Sequence, residues 1–139
     1  MTIGFTVPGV PRGKARPRFV RATGHAYTPE ETRSYEGMIR FAAAEAMKTS
    51  LFDAPFDKAV SVNIIAKFAP PASYSAKKRA RALSYLFRTG KPDIDQIVKV
   101  TLDGMNGVVY NDDAAVCYVT AVKLYTDGTP QLEVVVTPR

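Results

Sequence analysis

The chain has 139 residues, of which 46% are hydrophobic and 23% are charged, a size and composition typical of one globular domain. Its formal net charge of +6 favours a polyanionic partner. A single cysteine and a single histidine exclude an internal disulfide and the usual zinc sites. With no signal peptide and no apolar stretch long enough for a bilayer, we predict one cytoplasmic domain over residues 1–139 that does not bind membranes.

The first half of the chain is predicted to contain two strands around one long helix. Alternating apolar residues predict a strand over Thr2–Val10, followed by a basic loop over Pro11–Arg21. Proline suits the first position of a helix, so Pro29–Lys48 is predicted to be helical, with Thr28 as a plausible cap. Alternation returns at Ala59–Phe68, which we predict to be a strand.

The second half is predicted to contain two helices and then two strands. The helices are predicted over Ser75–Phe87 and, amphipathic in pattern, over Ile94–Met105. The strands Ala115–Tyr125 and Leu132–Val136 flank an Asp-Gly pair at Asp127, which is typical of a hairpin. This order predicts an α+β fold in which a single, mostly antiparallel or mixed sheet of about four strands carries about three helices packed on it.

Five of the thirteen acidic residues fall between Asp93 and Asp113. Asp93 and Asp95 open the third predicted helix, and the chain reversal after it can bring Asp113, or its neighbour Asp112, back to the helix start. Carboxylates held close together resist joint ionisation, so a divalent cation is the natural compensation. We predict a Mg²⁺ site, with Mn²⁺ as a substitute, where metal-bound water attacks a phosphodiester and Lys99 holds the phosphate.

Two basic segments contain eleven of the nineteen lysines and arginines. Such segments attract the phosphate backbone without reading sequence. Phe19 and Tyr27 could stack on bases, although packing on the core or surface is the favoured interpretation of each. The residues predicted to bind DNA are Arg12, Lys14, Arg16, Arg18, Lys77, Lys78 and Lys91.

The same acidic residues also have purely structural explanations. Asp93 suits a helix cap, and Asp95, Lys99 and Asp103 have the spacing of surface ion pairs along a helix. Asp112 follows an asparagine, as is ordinary in turns. The alternative to an enzyme is therefore a non-catalytic nucleic-acid-binding protein.

Three motifs follow one another in the second half of the chain: Lys91-Pro92-Asp93-Ile94-Asp95-Gln96-Ile97-Val98-Lys99, then Leu102-Asp103-Gly104, then Val109-Tyr110-Asn111-Asp112-Asp113. Their combined pattern resembles the RusA family of Holliday junction resolvases. The resemblance is strongest from Lys91 to Val116, and the segments Pro11–Arg18 and Tyr27–Pro29 also look like this family. One departure is Gln96, which stands where the family usually has asparagine.

By this resemblance Asp93, Asp95 and Asp113 are metal-binding catalytic carboxylates, Lys99 is an essential lysine, and Asp112 is an adjacent acidic position that we include among the ligands. The resemblance implies a RusA-like fold and a Mg²⁺-dependent crossover junction endodeoxyribonuclease of DNA recombination and repair, of a type often found in prophages. It further implies a homodimer that places paired nicks symmetrically across a four-way DNA junction, leaving 5′-phosphate and 3′-hydroxyl ends. A nuclease of the same chemistry acting on flaps or forks is a second alternative.

Overall fold

A computed structural model describes residues 1–139 and confirms the α+β architecture. Its strands are β1 (Ile3–Pro8), β2 (Arg18–Val20), β3 (His25–Tyr27), β4 (Val60–Phe68), β5 (Val116–Tyr125) and β6 (Gln131–Pro138). Its helices are α1 (Glu30–Lys48), α2 (Ala76–Tyr85) and α3 (Ile94–Met105), with a short 3-10 turn at Asp113–Ala115. β2 and β3 form a separate hairpin, while the other strands form one mixed sheet in the order β1-β6-β4-β5.

The predicted hairpin between the last two strands is wrong, because β4 lies between β5 and β6. β4 runs parallel to β5 and antiparallel to β6, and β6 pairs antiparallel with β1. The connecting loop crosses the end of β4, where the Thr126 amide donates to the Phe68 carbonyl at 2.8 Å. β4 is the strand with the most buried side chains, so the hydrophobic effect places it inside the sheet against the local turn signal.

α1 and α3 cover one face of the sheet and bury their apolar sides against it and against each other. α1 begins beside Pro29 as predicted, but Thr28 does not cap it, since no side chain does so. Met38 on α1 is 44% exposed. The buried apolar residues of the two helices are Tyr35, Ile39, Ala43, Met47, Ile97, Val100 and Met105.

Gly104 lets α1 and α3 approach closely. A Cβ atom added at this position would lie 2.7 Å from Ile39 Cγ2 and 3.3 Å from the Glu36 carbonyl oxygen. Only glycine therefore fits at this crossing without displacing one helix. The close approach also brings the polar edge of α1 near that of α3.

α2 lies apart from this core and contributes no buried residue. The segment that follows it is tied to the free edge of β5: the Arg88 amide donates to the Lys123 carbonyl at 3.0 Å, and the Tyr125 amide donates to the Leu86 carbonyl at 2.7 Å. The basic face of α2 is thus left free while its carboxyl end is anchored just before α3. None of the helices is both long enough and apolar enough to traverse a bilayer.

Candidate active site

The loop that leads into α3 is fixed by a lysine from the neighbouring strand. Lys123 Nζ, on β5, donates to the Gly90 carbonyl at 2.6 Å and to the Pro92 carbonyl at 3.0 Å. These two bonds tie the backbone on both sides of Lys91 to the sheet. The residue that follows, Asp93, therefore starts α3 from a fixed position.

Asp93 occupies the cap position of α3, yet its side chain makes no capping hydrogen bond. Its carboxylate instead contacts Lys91 Nζ at 3.0 Å, and both side chains are well exposed. Such an exposed ion pair contributes little stability. The structural explanation of Asp93 as a side-chain cap is wrong, and its carboxylate remains accessible to a ligand.

Asp95 lies one residue inside α3, where it is exposed and forms no ion pair. The predicted pairing of Asp95 with Lys99 is absent. Lys99 Nζ lies 3.1 Å from Asp103 Oδ1, one turn further along the helix. Asp95 thus has no ion-pair partner, and the structural explanation left for it is its favourable position in the first turn of the helix dipole.

Asp103 joins Lys99 to a network reaching the amino-terminal segment. Its other oxygen lies 3.2 Å from Lys14 Nζ, which also donates to Glu36 on α1. Burial lowers the pKa of Lys14, but hydrogen bonds and charge attraction from Glu36 and Asp103 outweigh it and raise the pKa above 10.5. Lys14 therefore links α1 to α3 through ion pairs with Glu36 and Asp103.

The second acidic group lies on the 3-10 turn that packs against α3. Asp112 accepts a hydrogen bond from the Ala114 amide at 3.1 Å, and Asp113 is half-buried. The Tyr110 hydroxyl donates to the Leu102 carbonyl at 2.7 Å. Burial raises the pKa of Tyr110, and the negative charges of Asp113, Asp103 and Asp112 raise it further.

The carboxylates do not form a preassembled cage of three ligands. No three histidine, cysteine or acidic side chains lie close enough together to hold one metal ion. The donor chemistry still fits Mg²⁺, because this ion is commonly bound through one or two carboxylates together with water and substrate phosphate. Asp95, which forms no ion pair, and Asp93, whose partner is the exposed Lys91, are the accessible carboxylates proposed for that role, and the assignment of Asp112 and Asp113 as further ligands stays a prediction.

The segment Pro11–Arg16, which we call the basic strap, lies against the start of α3. The Lys14 amide donates to the Gln96 carbonyl at 2.8 Å. A Cβ added to Gly13 would meet Gln96 Cβ at 2.8 Å and Pro92 Cβ at 3.0 Å, so the contact is close. The strap is thus an ordered border of the acidic site.

The residues predicted to bind DNA differ in availability. Lys14 has its ammonium group in the network with Glu36 and Asp103. Lys91 is paired with Asp93, and Lys78 Nζ lies 4.3 Å from the centre of the Tyr74 ring. Six of the side chains predicted to bind DNA are exposed, namely Arg12, Arg16, Arg18, Lys77, Lys78 and Lys91.

Sequence reasoning missed two residues that shape the site. Lys123 stands in the alternating pattern of β5 and Glu36 in the polar face of α1, so neither had a local signal. Their contacts with the α3 loop and with Lys14 arise only from the tertiary fold.

A family model described as endodeoxyribonuclease RusA matches residues 8–137. The matched region includes the basic strap, α3 and the 3-10 turn, and hence all the acidic residues discussed above. The chain is also similar to a Bacillus subtilis (strain 168) protein named "Uncharacterized protein YqaN", with 29% identity over 137 residues that cover 96% of this chain and 94% of that protein.

Proposed function

Because the chain belongs to the RusA family of endodeoxyribonucleases, we propose that it cuts four-way DNA junctions and related branched DNA by paired, symmetric nicks. The observation that carries this proposal is the family match over the whole acidic region, at whose start Asp93 and Asp95 have no cap bond or helix partner to account for them. The nicks leave 5′-phosphate and 3′-hydroxyl ends.

The proposed catalytic residues are Asp93, Asp95, Asp113 and Lys99, with Asp112 as an additional ligand. The carboxylates hold Mg²⁺, for which Mn²⁺ substitutes. When bound, the cation supplies a Lewis acid for the phosphate and lowers the pKa of a water molecule. Lys99 is exposed on the same polar stripe of α3 and neutralises charge on the phosphate.

The charge distribution supports a DNA backbone as the substrate. No acidic residue precedes Glu30, and none lies between Asp57 and Asp93. The strap and α2 both precede the acidic site in the sequence and carry cations without acidic neighbours, and both are anchored next to the α3 loop. The basic side chains of the strap and α2 attract phosphates. A bound metal cation removes the repulsion that the carboxylates would exert on those phosphates.

We further propose that the active species is a homodimer. A four-way junction has two-fold symmetry, and an isologous dimer carries two identical sites related by the same symmetry. Two such sites would cut opposed strands at equivalent positions. Sedimentation of the protein with and without a synthetic junction measures the stoichiometry of the complex.

The experiment that tests the function compares a synthetic four-way junction with a linear duplex of the same arms. Each is incubated with Mg²⁺ or with a chelator, and the strands are mapped on a denaturing gel. We expect matched nicks in opposite strands of the junction, sealable by ligase, only when Mg²⁺ is present. An intact junction in the presence of folded, dimeric protein contradicts the proposal.

Asp95→Asn and Asp57→Asn provide the matched variants for this assay. Both remove one exposed carboxylate, but only Asp95 lies on α3. Asp95→Asn is expected to bind junctions and to lose at least about 100-fold in nicking, since a ligand of the cation is weakened. Asp57→Asn is expected to nick at the unsubstituted rate.

The pairing of Lys91 with Asp93 and of Lys99 with Asp103 favours one rival, a binding protein whose acidic residues only form ion pairs. Calorimetric titration with Mn²⁺ separates the two. Binding that is lost in Asp93→Asn and Asp113→Asn supports the enzyme, and an absence of binding supports the rival. A panel of flaps and forks tests whether the four-way junction is the preferred substrate.

A further inference from the structure

The β2–β3 hairpin exposes large apolar side chains that the fold does not cover. Every residue of both strands is exposed. Phe19 is 71% exposed, Tyr27 48% and Val20 42%. Packing in the core, one of the two interpretations favoured from the sequence for Phe19 and Tyr27, is therefore wrong, and packing on the surface stays a prediction.

Phe19 lies on the face of the hairpin with the least protection. Its partner across the strands is Ala26, whereas Arg18 faces Tyr27 and Val20 faces His25. Side chains alternate between the two faces of a strand, so the small alanine is the cross-strand neighbour of the phenylalanine ring. The alanine covers little of the ring, and Phe19 is 71% exposed.

The hairpin has no role in the core that would explain this exposure. Its two strands pair only with each other and not with the main sheet. An isolated hairpin with two short strands is only marginally stable in water. Exposed apolar groups on such an element indicate a surface that meets a partner.

The surrounding charges identify that partner as a polyanion. Arg16, Arg18 and Arg21 lie within or next to the hairpin, and the first 29 residues contain no acid. Cations that follow a phosphate backbone, combined with an aromatic ring open to a base, are the two parts of a single-strand binding surface. An anionic lipid surface would also attract cations and aromatic side chains, but the match to an endodeoxyribonuclease family favours nucleic acid.

The hairpin is rooted close to the candidate active site. The Lys14 amide is bonded to Gln96 in the first turn of α3, and four residues further on the hairpin begins at Arg18. Four residues span at most about 14 Å. A base in contact with the hairpin is thus within a few nucleotides of a phosphate at Asp93 and Asp95.

We propose that the β2–β3 hairpin inserts at the branch point of the DNA, where Phe19 stacks on an unpaired base. This inference rests on the proposed function and adds the element by which the protein distinguishes a junction from a continuous duplex. Extruding a base from a duplex costs energy, and the cost is lower at a branch point because the base pairs there have lost the continuous stacking of an intact helix. The hairpin therefore binds at branch points and does not bind intact duplex DNA.

The test compares the binding of a four-way junction and of a linear duplex, both in chelator so that no strand is cut. The variants are Phe19→Ala, Phe19→Trp and Phe41→Ala. Phe41 on α1 is the matched control, because it is 70% exposed and lies outside the hairpin. Tryptophan at position 19 retains a ring that stacks on bases.

Phe19→Ala is expected to weaken junction binding by about 5- to 150-fold, which corresponds to the loss of one base–aromatic stack. Its duplex affinity is expected to change by less than about two-fold, because phosphate contacts dominate there. Phe41→Ala leaves both affinities unchanged, and Phe19→Trp restores junction binding. Thermal unfolding of each variant confirms that the fold is intact.

Equal weakening of junction and duplex binding by Phe19→Ala, or no weakening of either, overturns the proposal. The results distinguish an error in the hairpin proposal from an error in the proposed function. If the protein nicks junctions with Mg²⁺ while Phe19→Ala keeps its preference for them, the function stands and the hairpin has no stacking role. If the protein never nicks, the binding ratio still decides whether the hairpin recognises branch points.

Discussion

Asp103 holds the ammonium group of Lys99 at 3.1 Å on the polar stripe of α3. Asp103 itself is only 15% exposed at its side chain, because Lys14 covers its other oxygen. The lysine proposed to contact the phosphate is thus positioned by a carboxylate that does not belong to the proposed metal ligands. The position of that carboxylate depends on a residue of the basic strap.

Asp103→Asn should release Lys99 and lower the nicking rate by about 10-fold or more, since small displacements of a catalytic group are costly. Junction affinity should change little. The measurement is single-turnover nicking of Asp103→Asn, Lys99→Met and the double variant. If Asp103 acts through Lys99, the second substitution adds almost nothing in the Lys99→Met background. Independent, multiplicative losses would contradict this positioning role.

Lys123→Met should reduce nicking by about 10-fold while leaving junction affinity within a few-fold, because it loosens the loop that presents Asp93. Methionine preserves much of the apolar stem and removes both hydrogen bonds to the Gly90 and Pro92 carbonyls. Hydrogen exchange at residues 89–93 is expected to accelerate.

Lys67→Met is the control for the Lys123 substitution. Lys67 lies on the adjacent strand β4, where its ammonium group pairs with Glu133. Unchanged exchange in the loop of Lys123→Met would show that the two carbonyl bonds do not fix it.

The helices could be predicted from the sequence because their signals are local. Pro29 with the two glutamates after it marks the start of α1, and the spacing of apolar residues along α3 gives its extent. The position of β4 could not be predicted in this way. It depends on how much apolar surface the whole sheet buries, and the Asp127-Gly128 turn signal points to the wrong neighbour.

In the candidate site, too, only the features with a local sequence signal could be predicted. The spacing of Asp95, Lys99 and Asp103 identifies one polar stripe on a helix, and the structure has that stripe. The β2–β3 hairpin was missed because it buries nothing and so has no alternating pattern. Lys14 was predicted to contact DNA, since no sequence pattern indicates that Glu36 and Asp103 would surround it.

Gly104→Ala should destabilise the protein by about 1–3 kcal/mol, because overpacking forces two well-packed helices apart. The added methyl group would lie 2.8 Å from Ile39 Cβ and 2.7 Å from Ile39 Cγ2. Gly37→Ala on α1 is the control, since a Cβ there meets nothing within 4 Å. It should stabilise the protein by roughly 0.5–1 kcal/mol through helix propensity. Urea unfolding measures both, and equal effects would contradict the close crossing.

Lys14→Gln should lower the free energy of unfolding near neutral pH by about 1–3 kcal/mol, as expected when hydrogen bonds to charged groups are lost. Because the folded-state pKa of Lys14 is raised above 10.5, its contribution is fully present below that pH and is lost as the pH rises further. The difference in stability between the unsubstituted protein and Lys14→Gln should therefore be constant from pH 7 to about 9 and shrink above about 10.5. Tyrosine ionisation affects both proteins and cancels in the difference.

Lys58→Gln, at an exposed position, should show no such pH-dependent difference. A gap that stays constant up to pH 11.5 or widens would show that the Lys14 ammonium is not the group that ties the strap to α1 and α3.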